Sequence, residues 1–409
     1  MRIGAFVKKN HTTEDTIRHY MELGLLLAEK RNAQYFFDAQ CQFDFDDIIS
    51  LKNMGFSLHE IKHFFYYKRL GKLTDSQSQN YYTSLLYQKQ QQLFLKKDQI
   101  KKQIVMLEDK IKESNDHSPA QNYQPSGIPI EALSLFHCPR CHKPLILKEA
   151  NISDNQILSG VLICECGKAY RILQGILIDS DLDIESDIWS YDENYLDSYL
   201  SYTDASYLDN LSESIDWFHK KIDLNDYKQP VFLELGSGVG FFLRNIVSYL
   251  PKDSLYIALD HDINRQLFLK QCMDASQEQR NIIFVCADFL QIPLKEDSVD
   301  ILCDISGTSN YNFTHTDFLL NHLIPFVKKE HLLIGSYILF QNFSLQSKIP
   351  KEFQKNFTKE ELMKNLDALS YKQVESKVSD LIRRGGIYED YFTSAEAIFS
   401  YLILAKPWA

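Results

Sequence analysis

The 409-residue chain contains no run of about twenty apolar residues, so a helical membrane span is excluded. Its N-terminus reads as the first helix of a domain, not as a secretory leader. Positive charge is short: 44 Lys and Arg stand against 55 Asp and Glu, for a net charge of -11. The deficit is uneven. From Asp179 to Asp216 there are twelve acidic residues and no Lys or Arg. A surface of that charge repels a phosphate backbone, which argues against RNA or DNA as the substrate of whatever lies beside it. Eight cysteines in a chain without a secretory leader point to thiols and metal in a cytoplasmic setting, not to disulfides. No internal repeat is present. The length leaves room for two to four domains, and a hydrophobic content of 44% supports large cores.

The first seventy residues carry local helix logic. Ile3, Phe6 and Val7 fall at i, i+3 and i+4, one apolar face of a short helix. Asn10 to Thr13 is a polar turn in which Thr12 or Thr13 can cap the next helix. That helix, about 14 to 23, turns Ile17 and Met21 inward and points Arg18 and His19 elsewhere. Gly24 stops it. Two short helices joined by a four-residue turn have helix-turn-helix form, whose second helix lies in a DNA major groove. Further on, Ser57 and Glu60 form a capping box, S-x-x-E.

This segment resembles the MerR family of winged-helix transcription regulators. The matching pieces are Met1-Arg2-Ile3-Gly4, Thr16-Ile17-Arg18-His19-Tyr20, Leu23-Gly24-Leu25, and Met54-Gly55-Phe56-Ser57-Leu58 with Glu60-Ile61. The resemblance implies phosphate contacts by Arg18 and Tyr20, with His19 beside them, and by Lys30 and Arg31 in the wing. It implies double-stranded promoter DNA as partner. The family's wing carries Tyr-Arg where this chain has Tyr35-Phe36, so one phosphate anchor is missing and binding is expected to be modest and salt-sensitive.

From about Tyr81 to Lys112 there is no glycine or proline. Leu86, Leu93, Ile100 and Leu107 recur every seven residues, with Ile104 and Ile111 four after the last two. This is an a/d pattern, weaker in its first half, where Gln90 and Lys97 hold d positions. MerR-like regulators dimerise through an antiparallel helix at this place, which implies a homodimer through 81–112. The segment 113–127, ESNDHSPAQNYQPSG, is polar with two prolines and reads as a linker.

Cys138-Pro-Arg-Cys141 is followed by Cys164-Glu-Cys166-Gly167. Two close cysteine pairs can surround one zinc ion tetrahedrally. The second pair has one intervening residue where two is commoner, and His142 is a spare ligand. With no open position, the metal is expected to be structural. The stretch from Cys164 to Ile178 is similar to the small zinc ribbons that accompany or activate methyltransferases, and to the ribbon of certain ribosomal RNA guanine methyltransferases, with Arg171 where they have proline.

Val231-Phe-Leu-Glu234-Leu-Gly236-Ser-Gly238-Val-Gly240 is a buried strand running into a glycine turn, and Phe241-Phe-Leu opens a helix. The E-x-G-x-G-x-G spacing differs from the dinucleotide fingerprint, which has glycine where Phe241 stands. It resembles motif one of class I S-adenosylmethionine-dependent methyltransferases over residues 230–409. The resemblance implies that Glu234, Gly236, Gly238 and Gly240 lie at the cofactor, and that Asp260, with Asp262 as runner-up, meets the ribose. Asp288 meets the adenine amine with Phe289 beside the ring. After the fourth strand these enzymes that act on amino groups carry Asn-Pro-Pro-Tyr. Here Asp304-Ile-Ser306-Gly-Thr-Ser-Asn310-Tyr311 lacks the proline pair. Ser306, Asn310 and Tyr311 line an acceptor pocket or form a turn, and no catalytic residue is named.

The expected plan is multidomain α and α/β: a winged helix-turn-helix (1–74), a dimerisation helix (75–114), a linker (115–133), a small β zinc ribbon (134–180) and a Rossmann-like methyltransferase sheet with an N-terminal helical cover (181–409). The expected function is a DNA-binding regulator whose last domain binds S-adenosylmethionine as effector or methyl donor. The alternatives are an active small-molecule methyltransferase with a DNA-binding front end, or a ribosomal RNA methyltransferase.

Overall fold

The computed structural model describes residues 1–31, 34–71, 74–116, 125–182, 195–224, 227–276, 278 and 280–408. Part of the linker and residues 183–194 of the acidic stretch fall outside them. The chain divides into two compact units, Met1–Ala120 and Gln121–Ala409, each described by itself.

In the first unit, α1 (Ile3–Lys9) and α2 (Glu14–Glu22) are joined by the expected polar turn. Thr13 is the cap: its hydroxyl accepts the Thr16 N–H at 3.2 Å, satisfying one of the helix's orphan donors. A hairpin follows, β1 (Glu29–Arg31) with β2 (Gln34–Phe36), in which Lys30 faces Tyr35. This is the wing. Next come α3 (Ala39–Asn53) and α4 (Leu58–Leu70). The Ser57–Glu60 capping box is fully formed. Phe6, Ile17, Leu25, Phe37, Phe45, Ile48 and Phe65 are buried together, with the Phe6 and Phe37 rings stacked at 4.4 Å.

The last element of this unit, α5, spans Asp75–Asp116, 42 residues, or about 63 Å at the α-helical rise. Its first turns pack Tyr81, Tyr82, Leu85 and Leu86 on the core, and Lys89 pairs with Glu60 at 2.9 Å. Beyond that, Leu93, Ile100, Ile104, Leu107 and Ile111 are exposed within the single chain.

Among the described residues, the strands of the second unit form one sheet. Its first strands are β3 (Ile128–Pro129), β4 (Ile146–Ser153), β5 (Gln156–Ile163), β6 (Ala169–Leu173) and β7 (Ile176–Asp179). Helices α6 (Tyr195–Tyr202) and α7 (Ala205–Lys221) follow. Then come β8 (Val231–Leu235), α8 (Phe241–Ile246), β9 (Leu255–Asp260), α9 (Ile263–Asp274), β10 (Asn281–Cys286), β11 (Val299–Asp304), α10 (Gly307–Tyr311), β12 (Val327–Asn342), β13 (Tyr371–Val378) and β14 (Ala397–Pro407). The order across the sheet is β13-β14-β12-β11-β8-β9-β10-β7-β6-β5-β3, with β4 on β5.

From β8 onward this is a Rossmann-like sheet. Strands β10, β9, β8, β11 and β12 are parallel, with β14 antiparallel between β12 and β13. Their residues are almost all buried, as central parallel strands covered on both faces must be. The chain leaves β8 towards β9 and β10, then returns to β11 on the other side. That reversal opens a crevice at the carboxyl ends of β8 and β11, where ligands bind in open α/β sheets.

The sequence expectation of a separate ribbon meets a difference here. The ribbon's strand β7 pairs in parallel with β10, Ile178 opposite Cys286. Ribbon and Rossmann-like sheet are therefore one continuous sheet, and their buried residues form a shared core. Pairing between positions over a hundred residues apart leaves no local trace in the sequence.

Candidate functional site

The glycine turn stands at the switch point. The Asp260 carboxylate, at the end of β9, accepts the Gly238 N–H at 2.8 Å and the Asp262 N–H at 2.9 Å. Gly240 N donates to the Ser237 carbonyl at 2.8 Å. Gly236, Gly238 and Gly240 all have positive φ. Their surroundings differ. A Cβ on Gly240 would meet Leu269 Cδ1 at 2.1 Å, whereas one on Gly238 would find only the Gly236 carbonyl, at 3.9 Å. Gly240 therefore serves packing, and Gly238 faces open space. That cradle, which a side chain would fill, fits the close approach of a small ligand to backbone N–H groups.

Two expected site residues are amended. Glu234 is 1% exposed and accepts the Tyr256 hydroxyl at 2.9 Å. Burial pushes its carboxyl up to about 8. Strand alternation turns it beneath the loop, where it braces β8 against β9. Asp262 caps α9, accepting the Asn264 and Arg265 N–H groups, which leaves Asp260 as the carboxylate that orders the cradle.

Asp288 lies next along the same edge. The Ala287 N–H donates to the Asp260 carbonyl at 3.1 Å. Asp288 is exposed, and its Oδ1 accepts the Leu290 N–H at 2.8 Å. Phe289 is half-buried beside it. Across the crevice, Asp304 is fully buried and caps α10, accepting the Thr308 N–H at 2.8 Å and hydroxyl at 2.6 Å. Burial raises its carboxyl above the usual range. It is a structural cap with no access to a substrate proton. Asn310 is exposed, whereas Tyr311 is buried with its hydroxyl 3.2 Å from Asp317 Oδ2.

One feature of the site had no sequence pattern. The Tyr199 ring of α6 meets Phe241, which follows the cradle, at 5.2 Å, and Tyr388 at 5.3 Å. The cover is tied down by buried Glu389, which accepts the Thr203 hydroxyl at 3.2 Å and the Gly386 N–H at 3.0 Å.

The four cysteines converge. Sγ atoms of Cys138, Cys141, Cys164 and Cys166 all lie within 4.8 Å of one another, with Cys138–Cys166 at 3.5 Å and Cys141–Cys164 at 3.2 Å. Four thiolates about 2.3 Å from a zinc ion stand about 3.8 Å apart, so the cluster fits that metal. The backbone N–H of Lys168, then the neighbouring Cys138 and Cys164 thiols, pull the exposed Cys166 thiol down to about 7. His142 turns away from the cluster to Glu296, at 3.2 Å. Four sulfurs would complete a tetrahedral site and leave no open position on the metal.

In the first unit, Arg18 is exposed and holds Glu14 at 2.5 Å, and His19 is exposed beside it. Lys30 and Arg31 are exposed on the wing, each 5.7 Å from the ring centroid of Tyr35 and Phe36 respectively. Tyr20 is a correction. It is 2% exposed, because it lies three residues after Ile17 on the same buried face. Its hydroxyl meets the exposed Lys52 Nζ at 3.1 Å, so Lys52 is the group that reaches solvent there.

Residues 1–68 match the sequence profile described as MerR HTH family regulatory protein. The N-terminal unit carries a MerR-type helix-turn-helix domain. No curated protein matches the chain. Among solved structures, the MccD protein is similar at 11% identity over 47% of this chain and 96% of its own, TM-score 0.37. A SAM-dependent methyltransferase from Aquifex aeolicus is similar at 15% identity over 50% of this chain and 92% of its own, TM-score 0.31. TYW2 from M. jannaschii, in complex with AdoMet, shares 14% identity over 65% of this chain and 94% of its own, TM-score 0.31. The strand order itself, not these distant likenesses, makes the second unit Rossmann-like. Among the described residues no helix is long and apolar enough to cross a membrane.

Proposed function

We propose that this protein is a cytoplasmic, homodimeric MerR-type transcription regulator whose Rossmann-like unit binds S-adenosylmethionine as effector or methyl donor. The observation that carries the reading is the open cradle over Gly238, ordered by Asp260 at a sheet switch point, on the same chain as a helix-turn-helix. Bound there, the cofactor would supply a transferable methyl group on a sulfonium. The chain's own residues do the rest. Backbone at Gly236 and Gly238 approaches the methionine end, Asp260, 2% exposed and bonded to the Gly238 and Asp262 N–H groups, orders the turn beside the ribose, and Asp288 and Phe289 meet the adenine. Tyr199, Phe241 and Tyr388 keep water from the cleft.

DNA is met by Arg18, His19, Lys30 and Arg31, with Lys52 in the place first given to Tyr20. The exposed stripe from Leu93 to Ile111 on α5 seats the second copy. A cofactor that favours one DNA-bound arrangement of the dimer shifts its population by its differential affinity.

A second reading, an active methyltransferase on a small molecule, is favoured by the aromatic cover. It offers an apolar acceptor a dry face, and the acidic run from Asp179 to Asp216 opposes a nucleic-acid acceptor. Calorimetry of the full chain with S-adenosylmethionine tests the shared premise. Saturable one-to-one binding per chain supports it, and no heat at millimolar cofactor overturns it.

A further inference from the structure

The zinc ribbon and the edge of the cleft that carries Asp288 are physically one assembly. Two paths lead from the cysteines to that edge. The first runs from Cys138 to its immediate neighbours. His137 N donates to the Pro293 carbonyl at 3.1 Å, and Lys295 N donates to the Leu135 carbonyl at 2.8 Å. Phe136 bridges Leu294 in antiparallel fashion. The second path runs from Cys164 and Cys166. Cys164 N donates to the Lys168 carbonyl at 2.8 Å, and Lys168, fully buried, pairs with Asp179 at 2.5 Å. Asp179 ends β7, which lies against β10 up to Cys286. Two residues after Lys168, the buried Tyr170 hydroxyl donates to the Gln291 carbonyl at 2.7 Å.

The consequence is topological. Asp288 and Phe289 occupy the short link between Cys286, held by β7, and Gln291 to Lys295, held by Tyr170 and residues 135–137. Both ends of the link are fastened to the ribbon. The link is also held from the sheet side, where β9 pairs with β10 as far as Cys286, the Ala287 N–H meets the Asp260 carbonyl, and Asp288 bonds the Leu290 and Gln291 N–H groups; the ribbon contacts fix the link from its other side.

We propose that the four-cysteine ribbon is the scaffold of the adenine wall, and that Tyr170 is a positioning residue for Asp288. The inference rests on the reading that the cleft binds S-adenosylmethionine. The ribbon is then not an appendage for a nucleic-acid partner. Its metal sets cofactor affinity from outside the cleft, much as partners behind a metal ligand tune the metal. Loss of zinc frees residues 135–138, slackens the 291–295 segment and lets Asp288 wander.

The test is S-adenosylhomocysteine affinity, by calorimetry on the full chain, for the wild type, Tyr170→Phe and wild type stripped of metal by chelation. The same proteins are titrated with S-inosylhomocysteine, which lacks the adenine amine and gains nothing from an aimed Asp288 carboxylate. For S-adenosylhomocysteine, Tyr170→Phe is expected to raise Kd about tenfold, the lower end of what a hydrogen bond to a charged group contributes. For S-inosylhomocysteine its Kd should stay within about twofold of the wild type. Metal removal should act in the same direction and more strongly, and readdition of zinc should restore affinity. Equal weakening for both ligands would mean general loosening of the fold and overturns the positioning claim. Unchanged affinity in Tyr170→Phe overturns it too. If stripping the metal unfolds the unit, Tyr170→Phe decides alone. Wild type that binds neither ligand overturns the cofactor reading and this inference together. Wild type that binds while Tyr170→Phe is indifferent overturns only the inference.

Discussion

Gly238 and Gly240 sit two residues apart in one turn, and the structure gives them opposite tasks. Gly240→Ala places a methyl 2.1 Å from Leu269 Cδ1 at φ +80. The left-handed backbone costs an alanine about 1–2 kcal/mol. Forcing the buried leucine aside adds roughly 1–3 kcal/mol. The sum, about 2–5 kcal/mol, lowers the Tm of a unit this size by roughly 4–20 °C. Gly238→Val carries a similar backbone cost at φ +54, but its Cβ meets nothing nearer than 3.9 Å. Its methyls project into the cradle. It should lose only about 1–2 kcal/mol of stability yet weaken cofactor binding by about a hundredfold or more, since the ligand's place beside the backbone is taken. Differential scanning calorimetry, and isothermal titration carried out below the lower Tm, separate the two effects. A Gly238→Val protein that binds S-adenosylmethionine as the wild type does would refute the cradle. A Gly240→Ala protein of unchanged stability would refute the packing argument. Promoter binding without cofactor should be intact in both.

Other consequences follow from single residues. Arg18→Ala should weaken DNA binding across sequences and lower the salt slope by about one counterion without changing cofactor affinity measured in the absence of DNA; a change there would contradict the phosphate-contact role given to Arg18. Ile100→Asp with Leu107→Asp should turn a dimer into a monomer in light scattering, because both side chains are exposed in one chain and a charge cannot be buried in an apolar seam. Glu234 has its carboxyl raised by burial from 4.5 to about 8, so the folded state holds a proton that the unfolded state releases. Its stabilising effect is full below pH 4.5 and is lost as pH rises to 8, by up to about 5 kcal/mol. Glu234→Gln keeps an acceptor for Tyr256 and should flatten that slope in urea unfolding of the full chain; an unchanged slope would contradict the assignment.

Much of the site was legible because it is written in short spacing. The glycine turn, the Ser57–Glu60 box and the cysteine pairs are each complete within a few residues, and local geometry follows from them. Tyr20 misled because a resemblance gives residue positions but not side-chain direction; its place one helical step beyond Ile17 decides that it turns inward. Glu234 shows the matching effect in a strand, where alternation puts it under the turn that follows it. The joining of ribbon to sheet rests on β7 meeting β10 and on Tyr170 reaching Gln291. Those pairings join distant segments whose partners no window of the sequence holds together. The aromatic cover is similar: Tyr199, Phe241 and Tyr388 come from three separate stretches.

The most direct test of the account is a footprint of the full-length protein on the DNA upstream of its own coding region, with and without S-adenosylmethionine. Protection of two half-sites related by a dyad is expected, with a pattern that changes when cofactor is added and does not change for Gly238→Val. Protection that is identical with and without cofactor would contradict the coupling. No protection at all would contradict the regulator and leave the methyltransferase reading in its place.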